Sequence, residues 1–224
     1  MKTRLFYILT LSFFSFFGYS QISKSLGNFT KVTSFDQMSI FLIASNENKI
    51  EISGFNADKV ELVYENNELK IRMPLDKLLK GNDILAKVYY TKLEALEANE
   101  GSNIGASSSI VGTNFDVLVK EGSSIKLQVD TKKLTARVTQ GGQFELNGKT
   151  DDLDVVVNAG AVFNSEKCQA ATVVVSVNAG GQASVKASEL VDAKVRAGGT
   201  INIYGKPKQI TEKTILGGEI VLRN

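Results

Sequence analysis

Apolar and polar residues alternate with a period of two along most of the chain, which is typical of β-strands that bury one face. In the N-terminal half, residues 60–64 and 69–73 alternate in this way on either side of the polar segment 65–68, which predicts a β-hairpin. Residues 84–90 alternate as well and predict a further strand. Residues 76–82 are the one candidate for a helical turn. The chain is therefore predicted to be all-β.

A glycine recurs every 18–21 residues from about residue 93 onward. In most repeats, apolar residues stand three and five positions after this glycine and three, five and seven positions before it. The positions between them are mostly polar, so each repeat supplies two short strands that bury alternate side chains. Phe144 and Phe163 occupy one column on adjacent repeats and are predicted to stack inside the fold. The repeating glycines are Gly101, Gly122, Gly141, Gly160, Gly180, Gly198 and Gly217.

This repeat with β alternation predicts a solenoid, because one repeat cannot bury its apolar face and stacked repeats can. We expect a right-handed parallel β-helix with the glycines at its corners, since glycine adopts positive φ without a steric penalty. At a strand spacing of about 4.8 Å, the repeats give a rod roughly 30 Å long. A β-sandwich or a propeller built from hairpins is the alternative. Five apolar columns that keep register through six or seven repeats favour the solenoid.

The first 20 residues have the pattern of a signal peptide. Lys2 and Arg4 precede an apolar and hydroxyl-bearing run over residues 5–17, which is too short to span a bilayer comfortably. Small residues at positions 18 and 20 predict cleavage before Gln21. We therefore expect an exported protein.

The processed chain is expected to be one β-helical domain over residues 21–224, with N-terminal strands at 29–90 and repeat coils at 93–224. It carries 24 basic and 24 acidic residues, because Lys2 and Arg4 leave with the signal peptide. This charge balance argues against a nucleic-acid partner. We expect the periplasm as its location, with the cell surface or secretion as the alternative.

Residue types that commonly carry chemistry are missing or isolated. The chain has no histidine and a single cysteine, Cys168, so the commonest general base and metal ligand is absent and no intrachain disulfide can form. Asp151, Asp152 and Asp154 are the closest group of carboxylates and could hold a cation or act on a polysaccharide. We favour a solvated turn followed by an outward-facing Asp154. We therefore expect no catalytic residue, no metal and no cofactor.

Basic and tyrosine side chains near the C-terminal end are candidate contacts for an acidic glycan. We retain Lys186, Lys194, Arg196 and Tyr204 as candidate binding residues; the basic ones could line one outer face together with Lys206 and Lys208. Tyrosines elsewhere, Tyr64, Tyr89 and Tyr90, could also stack on sugar rings. Outward charges that keep the rod soluble, and tyrosines that are ordinary strand residues, are the simpler interpretations.

Several corner sequences resemble those of a known family. They are Glu100–Ser102, Glu121–Ile125 and Gly198–Asn202, and most specifically the tail Ile203–Pro207 followed by Gly217–Ile220. These corners, together with the arrangement of apolar residues in the N-terminal half, resemble the head GIN domain family of putative auto-transporter adhesins, which is widespread in Bacteroidetes. The resemblance covers nearly all of the processed chain. The resemblance implies a right-handed β-helix at the cell surface or in the periplasm. It brings no catalytic motif.

Three classes of function follow. The first is a non-enzymatic, adhesin-like binding module of the cell envelope that holds a glycan or an envelope protein along one sheet face. The second is a structural piece that forms homo-oligomers through coil ends or side faces, since no cap follows the strand predicted at residues 220–224. The third is a polysaccharide-active enzyme, which the short loops and the missing histidine argue against. We expect the first.

Overall fold

The computed structural model describes residues 21–223, so the predicted signal peptide and Asn224 lie outside the described residues. The fold is all-β, with 64% of residues in strands, and its strands form a β-solenoid of about 7 turns. The predicted fold class is therefore confirmed. Residues 21–223 contain no α-helix, and hence none that could cross a membrane, but they include two short 3₁₀ turns at Ala57–Lys59 and Leu75–Lys77.

Eighteen strands lie within residues 21–223. They are β1 Ile22–Ser25, β2 Lys31–Ser34, β3 Ser39–Ala44, β4 Lys49–Ser53, β5 Glu61–Glu65, β6 Glu68–Arg72, β7 Leu85–Tyr90, β8 Ala95–Ala98, β9 Asn103–Ala106, β10 Ile110–Val119, β11 Ser124–Val138, β12 Gln143–Val157, β13 Val162–Asn164, β14 Cys168–Asn178, β15 Gln182–Arg196, β16 Thr200–Gly205, β17 Gln209–Ile215 and β18 Glu219–Leu222.

Two parallel sheets run along the solenoid, one on each side of the glycine corners. The pre-corner sheet contains β6, β2, β8, β10, the second halves of β11, β12, β14 and β15, and β17. The post-corner sheet contains β7, β3, β9, the first halves of β11, β12 and β15, and β13, β16 and β18. A long strand such as β11 therefore passes through a bend from one sheet into the other.

The predicted apolar columns fill the space between the two sheets. Val119, Val138 and Val157 are register partners on successive coils, and all three are buried. On the other sheet, the rings of Phe144 and Phe163 lie 5.4 Å apart between centroids, tilted by 57°, which confirms the predicted aromatic stack. Burying a side chain of this size stabilises the fold by about 1.5–3 kcal/mol. The core is therefore a set of stacked, like-on-like contacts.

The corners are two-residue turns in which both central residues have positive φ. Gln140 and Gly141 have φ of 52° and 71°, and the N–H of Gly142 donates to the carbonyl of Thr139 over 3.0 Å. This is the geometry of a type I′ turn. A Cβ on Gly141 would meet open space, so its glycine serves the backbone conformation alone. A Cβ added to Gly142 would lie 2.8 Å from the carbonyl oxygen of Val119, so this position requires glycine because a side chain would be too close to the neighbouring coil.

The N-terminal region contributes two coils to the parallel stack, and their order differs from the order in sequence. The β2–β3 coil lies between the β6–β7 coil and the β8–β9 coil. Antiparallel strands then extend the sheets at this end: β5 on β6, and β4 on β7 with β1 beyond it. The β5–β6 pairing confirms the predicted hairpin. Parallel stacking thus begins well before residue 93.

Candidate functional site

The carboxylates singled out in the sequence do not form a metal site. Within residues 21–223, no group of three or more His, Cys, Asp or Glu side chains is arranged to hold a metal ion. Asp151 and Asp152 are exposed, and Asp154 is half-buried on the outer side of β12. Asp152 is the register partner of Lys133 on the adjacent coil, so opposite charges face each other there. These residues have the surroundings of surface strand residues.

Cys168 is buried at the start of β14. Burial raises the pKa of its thiol to about 12. A thiol is nucleophilic only as the thiolate, so Cys168 is inert at neutral pH. Its position in the stacked core gives it the role of a small apolar residue.

The candidate binding residues are divided between the two sheets. Lys186 and Tyr204 are register partners on β15 and β16, so they are neighbours on the post-corner sheet. Lys194 and Arg196 lie on the pre-corner sheet, beside Lys213 and Ile215 of β17. The chain bends between these two pairs, where the register shifts beside Ala187 and Leu190. The single outer face expected for the basic residues is therefore replaced by two separate groups.

The outer side of the post-corner sheet carries columns of amide and hydroxyl side chains. We call the six that span four successive coils the amide–hydroxyl face. They are Gln143, Asn164, Gln182, Ser184, Thr200 and Asn202. Each alternates along its strand with residues of the core columns, so the same β pattern that fills the core fixes these groups outward. Strand spacing places neighbours in a column about 4.8 Å apart.

Most side chains of the amide–hydroxyl face form no hydrogen bond with another side chain. Within residues 21–223, the side chains of Gln143, Gln182 and Ser184 make no hydrogen bond to the protein. Asn202 accepts a hydrogen bond of 3.0 Å from Nε of Arg223. Oδ1 of Asn164 accepts a hydrogen bond of 3.0 Å from the N–H of Glu166, and Val162 separates Gln143 from Gln182 in their column. The unpaired side-chain groups of the face are therefore those of Gln143, Gln182, Ser184 and Thr200.

A shallow groove of about 360 Å³ lies at one end of this face, between coils of β11, β12 and β13. Its charged pair is Lys126 and Glu145, whose Nζ and Oε2 atoms are 2.9 Å apart. The hydrogen bond from Lys126 holds the pKa of Glu145 below its usual value. At neutral pH the groove thus contains one ionised carboxylate, neutralised by its neighbour, among polar uncharged groups. Its lining also includes Ser124, Gln143, Val162 and Asn164.

A larger groove of about 620 Å³ lies between the loop after β7 and the start of β10. Two carboxylates, Glu94 and Asp116, are part of its lining. A hydrogen bond from Lys92, whose Nζ is 2.6 Å from Oε1 of Glu94, lowers the pKa of Glu94. Glycoside hydrolysis requires a carboxylic acid that stays protonated near neutral pH, and Glu94 has the opposite perturbation. Glu94 therefore lacks the raised pKa that a general acid needs.

A β-solenoid with two-residue corners defines the class of this protein. The family follows from the sequence: residues 28–207 match the family described as "Putative auto-transporter adhesin, head GIN domain". The chain belongs to this head GIN domain family. No curated protein matches it significantly.

Solved structures share the fold over nearly the whole chain. A putative adhesin from Bacteroides fragilis NCTC 9343 has a TM-score of 0.82 at 17% identity, covering 92% of this chain and 97% of its own. A putative adhesin from Parabacteroides distasonis ATCC 8503 has a TM-score of 0.77 at 16% identity, with coverage of 92% and 97%. A putative lipid binding protein from that same strain has a TM-score of 0.68 at 16% identity, covering 90% and 96%. At such identities the likeness establishes the fold alone.

Proposed function

We propose that this protein is a non-enzymatic, adhesin-like binding module of the cell envelope that holds a glycan against its amide–hydroxyl face. The observation that carries the proposal is the array of unpaired amide and hydroxyl groups on Gln143, Gln182 and Ser184. Sugars present hydroxyl groups at short, regular intervals, and such groups exchange hydrogen bonds with amides and hydroxyls in both directions. Lys186 beside Tyr204 would add a cation and an aromatic ring at the edge of this face.

Several features of the described residues favour a binding role over catalysis. The chain has no histidine, and Cys168 is a buried thiol. The corners are two-residue turns, which leave little room for the long loops on which active sites are commonly built. Glu94 and Glu145, the carboxylates with perturbed pKa in the two grooves, are both shifted toward the ionised form. Family membership among adhesin-like proteins agrees with this role.

The periplasm is the location that we propose, with the cell surface as the alternative. It rests on the predicted signal peptide at residues 1–20 and on the adhesin-like family. Cell fractionation, together with protease treatment of intact cells, tests it. Recovery in the periplasmic fraction with protection from protease is expected. Digestion on intact cells would place the protein on the surface instead.

The binding proposal is tested with a matched pair of serine variants. Ser184 lies on the amide–hydroxyl face and Ser176 on the pre-corner sheet, and both are half-buried strand residues. The probes are immobilised mannan, laminarin, alginate and polygalacturonate. We expect Ser184→Arg to weaken retention on the bound polysaccharide by about tenfold, or ~1.4 kcal/mol, with Ser176→Arg unchanged. Equal effects of the two variants, or turnover of any probe, would contradict the proposal.

Homo-oligomerisation through the last coil is the second candidate. Ile220 and Leu222 of β18 continue two interior columns, and Leu222 is exposed. On the other sheet, Glu212 and Thr214 of β17 occupy columns that are apolar in the preceding coils. An inward charge on an edge strand opposes strand pairing, so a contact would involve β18 rather than β17. Light scattering over a wide concentration range tests this, and a strict monomer throughout would exclude it.

A further inference from the structure

The segments that join the two sheets on the side opposite the glycine corners also pair with one another from coil to coil. Residues 110–112 of β10 are register partners of residues 129–131 of β11, and these pair in turn with the next coil. We call this stack the joining strip, and it contains residues 110–112, 129–131, 148–150 and 168–170. Residues 110–112 are its first segment, at the N-terminal end of the stack.

The joining strip has an open edge at residues 110–114. These residues pair with β11 on one side, but on the other side β10 meets β8 only from Asp116 onward. The preceding coil supplies no strand at this place, because after β3 the chain turns into β4, which pairs antiparallel with β7. Within residues 21–223, the segment 110–114 therefore has no strand partner on that side.

Hydrogen bonds of neighbouring segments show which backbone groups face the open edge. Outward-facing residues donate their N–H groups to the preceding coil: Ser107 to the carbonyl of Leu42 over 3.0 Å, and Asp116 to the carbonyl of Glu94 over 2.9 Å. Val111 also faces outward and is 75% exposed. The N–H and C=O of Val111 therefore point toward the preceding coil, which is the side of the open edge.

The larger groove, of about 620 Å³, runs along this open edge. Its other wall is the crossover 91–94, which leads from β7 to β8. Tyr90 also lines the groove and is only 7% exposed, and its hydroxyl has no hydrogen-bond partner among the described residues. Cavities of this size are typical of ligand sites. The open edge therefore has both space beside it and an unpaired, largely buried polar group.

The open edge lacks the residues that usually prevent strand addition. Natural edge strands are protected by charged side chains, proline or bulges. Residues 109–115 contain no charged residue and no proline. By contrast, β17 has Glu212 in a column that is apolar in the preceding coils. The edge at β10 is therefore suited to pairing with another chain.

Backbone geometry and charge define the occupant that fits this groove. Along an open edge, backbone N–H and C=O groups recur every two residues, or about 6.6 Å, which is the repeat of another extended polypeptide. Peptides bind exposed sheet edges by this kind of pairing. Nζ of Lys92 lies 2.6 Å from Oε1 of Glu94 and neutralises it, whereas Asp116 has no ion pair within residues 21–223. The one unbalanced charge of the groove is thus a carboxylate, which favours a basic peptide.

We propose that an extended segment of a partner protein adds as a strand to residues 110–114 of β10 and places a basic side chain near Asp116. The added strand extends the joining strip by one position and fills the groove beside Tyr90. The glycan proposal concerns the amide–hydroxyl face of the post-corner sheet, which is a different surface. Either proposal can therefore fail without the other.

Backbone methylation of a peptide probe tests whether the contact is a strand pairing. The probe is a fluorescein-labelled peptide of seven residues that alternates valine and lysine, and fluorescence anisotropy measures its binding. Two further peptides carry N-methyl groups on alternate amides, one along each edge of the strand, with all side chains kept. Only one edge of an added strand faces β10, so we expect one methylated peptide to bind about tenfold more weakly and the other to bind like the parent.

Variants of the protein test the same contact from the other side. Val111→Pro removes the N–H that faces the groove, a change that an edge strand tolerates, whereas Val111→Thr keeps this N–H. We expect Val111→Pro to weaken binding of the parent peptide by about tenfold and Val111→Thr to leave it within about threefold. Asp116→Asn should remove the preference for the lysine peptide over its glutamate counterpart. Thermal unfolding checks that each variant keeps the fold.

Amide hydrogen exchange locates the bound peptide without any substitution. The N–H of Val111 should exchange rapidly in the free protein and slowly with the parent peptide. The N–H of Asp130, the register partner of Val111 inside the paired strip, should exchange slowly in both states. The proposal is overturned if the parent peptide does not bind, if both methylated peptides bind as well as the parent, or if Val111 gains no protection. Binding of laminarihexaose that Val111→Pro abolishes would assign the groove to a glycan instead.

Discussion

The rings of Phe144 and Phe163 stack on successive coils of the solenoid with their centroids 5.4 Å apart. Phe163→Ala removes one ring from a column that is closed above and below by other coils. We expect a loss of about 3–5 kcal/mol in the free energy of unfolding, the usual range for such a truncation in a core. Urea denaturation followed by circular dichroism measures it.

The neighbouring Val162 supplies the control for this prediction. It lies one residue earlier in β13 and faces outward, where it is partly exposed. Val162→Ala should change the free energy of unfolding by no more than about 0.5 kcal/mol. Similar losses for the two variants would mean that the column does not carry the stability assigned to it.

The two glycines of one corner are expected to respond differently to the same substitution. Gly141 needs only positive φ, and asparagine tolerates that conformation far better than alanine. Gly141→Ala should therefore cost about 1–2 kcal/mol, and Gly141→Asn should recover much of the loss. At Gly142 the added atoms meet the carbonyl of Val119, so Gly142→Asn should be worse than Gly142→Ala. Thermal denaturation of the four variants tests the order.

Cys168 is expected to resist thiol reagents in the folded protein. Its burial, and the raised pKa that follows from it, leave almost no accessible thiolate at pH 8. Ellman's reagent should therefore label about one thiol per chain in urea and almost none in buffer. Rapid stoichiometric labelling of the folded protein would contradict the burial of this side chain.

A charged network on the outer side of the pre-corner sheet predicts a pH dependence of stability. Oε2 of Glu97 lies 2.7 Å from Nζ of Lys31, and its other oxygen lies 3.2 Å from Nζ of Lys120. Burial alone would raise the pKa of Glu97, but the hydrogen bonds and charges of the two lysines outweigh it and lower the pKa below 4.5. The stabilisation is therefore complete above pH 4.5 and is lost as the pH falls through the lower folded value.

Glu97→Gln should accordingly destabilise the protein by about 1–3 kcal/mol at pH 7 and much less at pH 3. Glu100 supplies the contrast, because burial and the nearby charge of Asp36 raise its pKa above 4.5. Its ionisation opposes folding, so the relative stability of Glu100→Gln should rise as the pH increases past that raised value. Urea titrations at several pH values measure how the free energy of unfolding of each variant, relative to the unmodified protein, changes with pH.

The repeat coils were predictable because their pattern is local. Alternation in β11 and β12 and the positive-φ glycines at each corner are visible in the sequence, and stacking follows once one coil cannot bury its own face. The corner between β2 and β3 escaped this pattern because Asp36 and Gln37 adopt positive φ without glycine. The position of that coil between two later ones depends on pairing over long sequence distances, which no local pattern encodes.

The positions of the surface side chains were less predictable, because they also depend on contacts that no local pattern encodes. A bend within β15 sends Lys186 and Lys194 to different sheets, and a count of alternating residues does not reveal where a strand bends. The exposure of Leu75, Leu78 and Leu79, in the loop between β6 and β7, was missed because these residues have the composition of a buried turn. Their exposure depends on the contact between Asp36 and the loop, which joins residues 37–43 positions apart.

The carboxylate of Asp36 supplies the last prediction, because it is buried and accepts hydrogen bonds from the N–H groups of Met73 and Leu79. Hydrogen bonds to a charged acceptor contribute about 1.5–3 kcal/mol each, so Asp36→Ala should lower the free energy of unfolding by about 3–6 kcal/mol. Asp36→Asn keeps one acceptor and tolerates positive φ, so it should cost about half as much. Amide hydrogen exchange should accelerate at Leu79 in both variants and stay slow at Val138 in the distant coils. Unchanged exchange at Leu79 would show that Asp36 does not hold the loop.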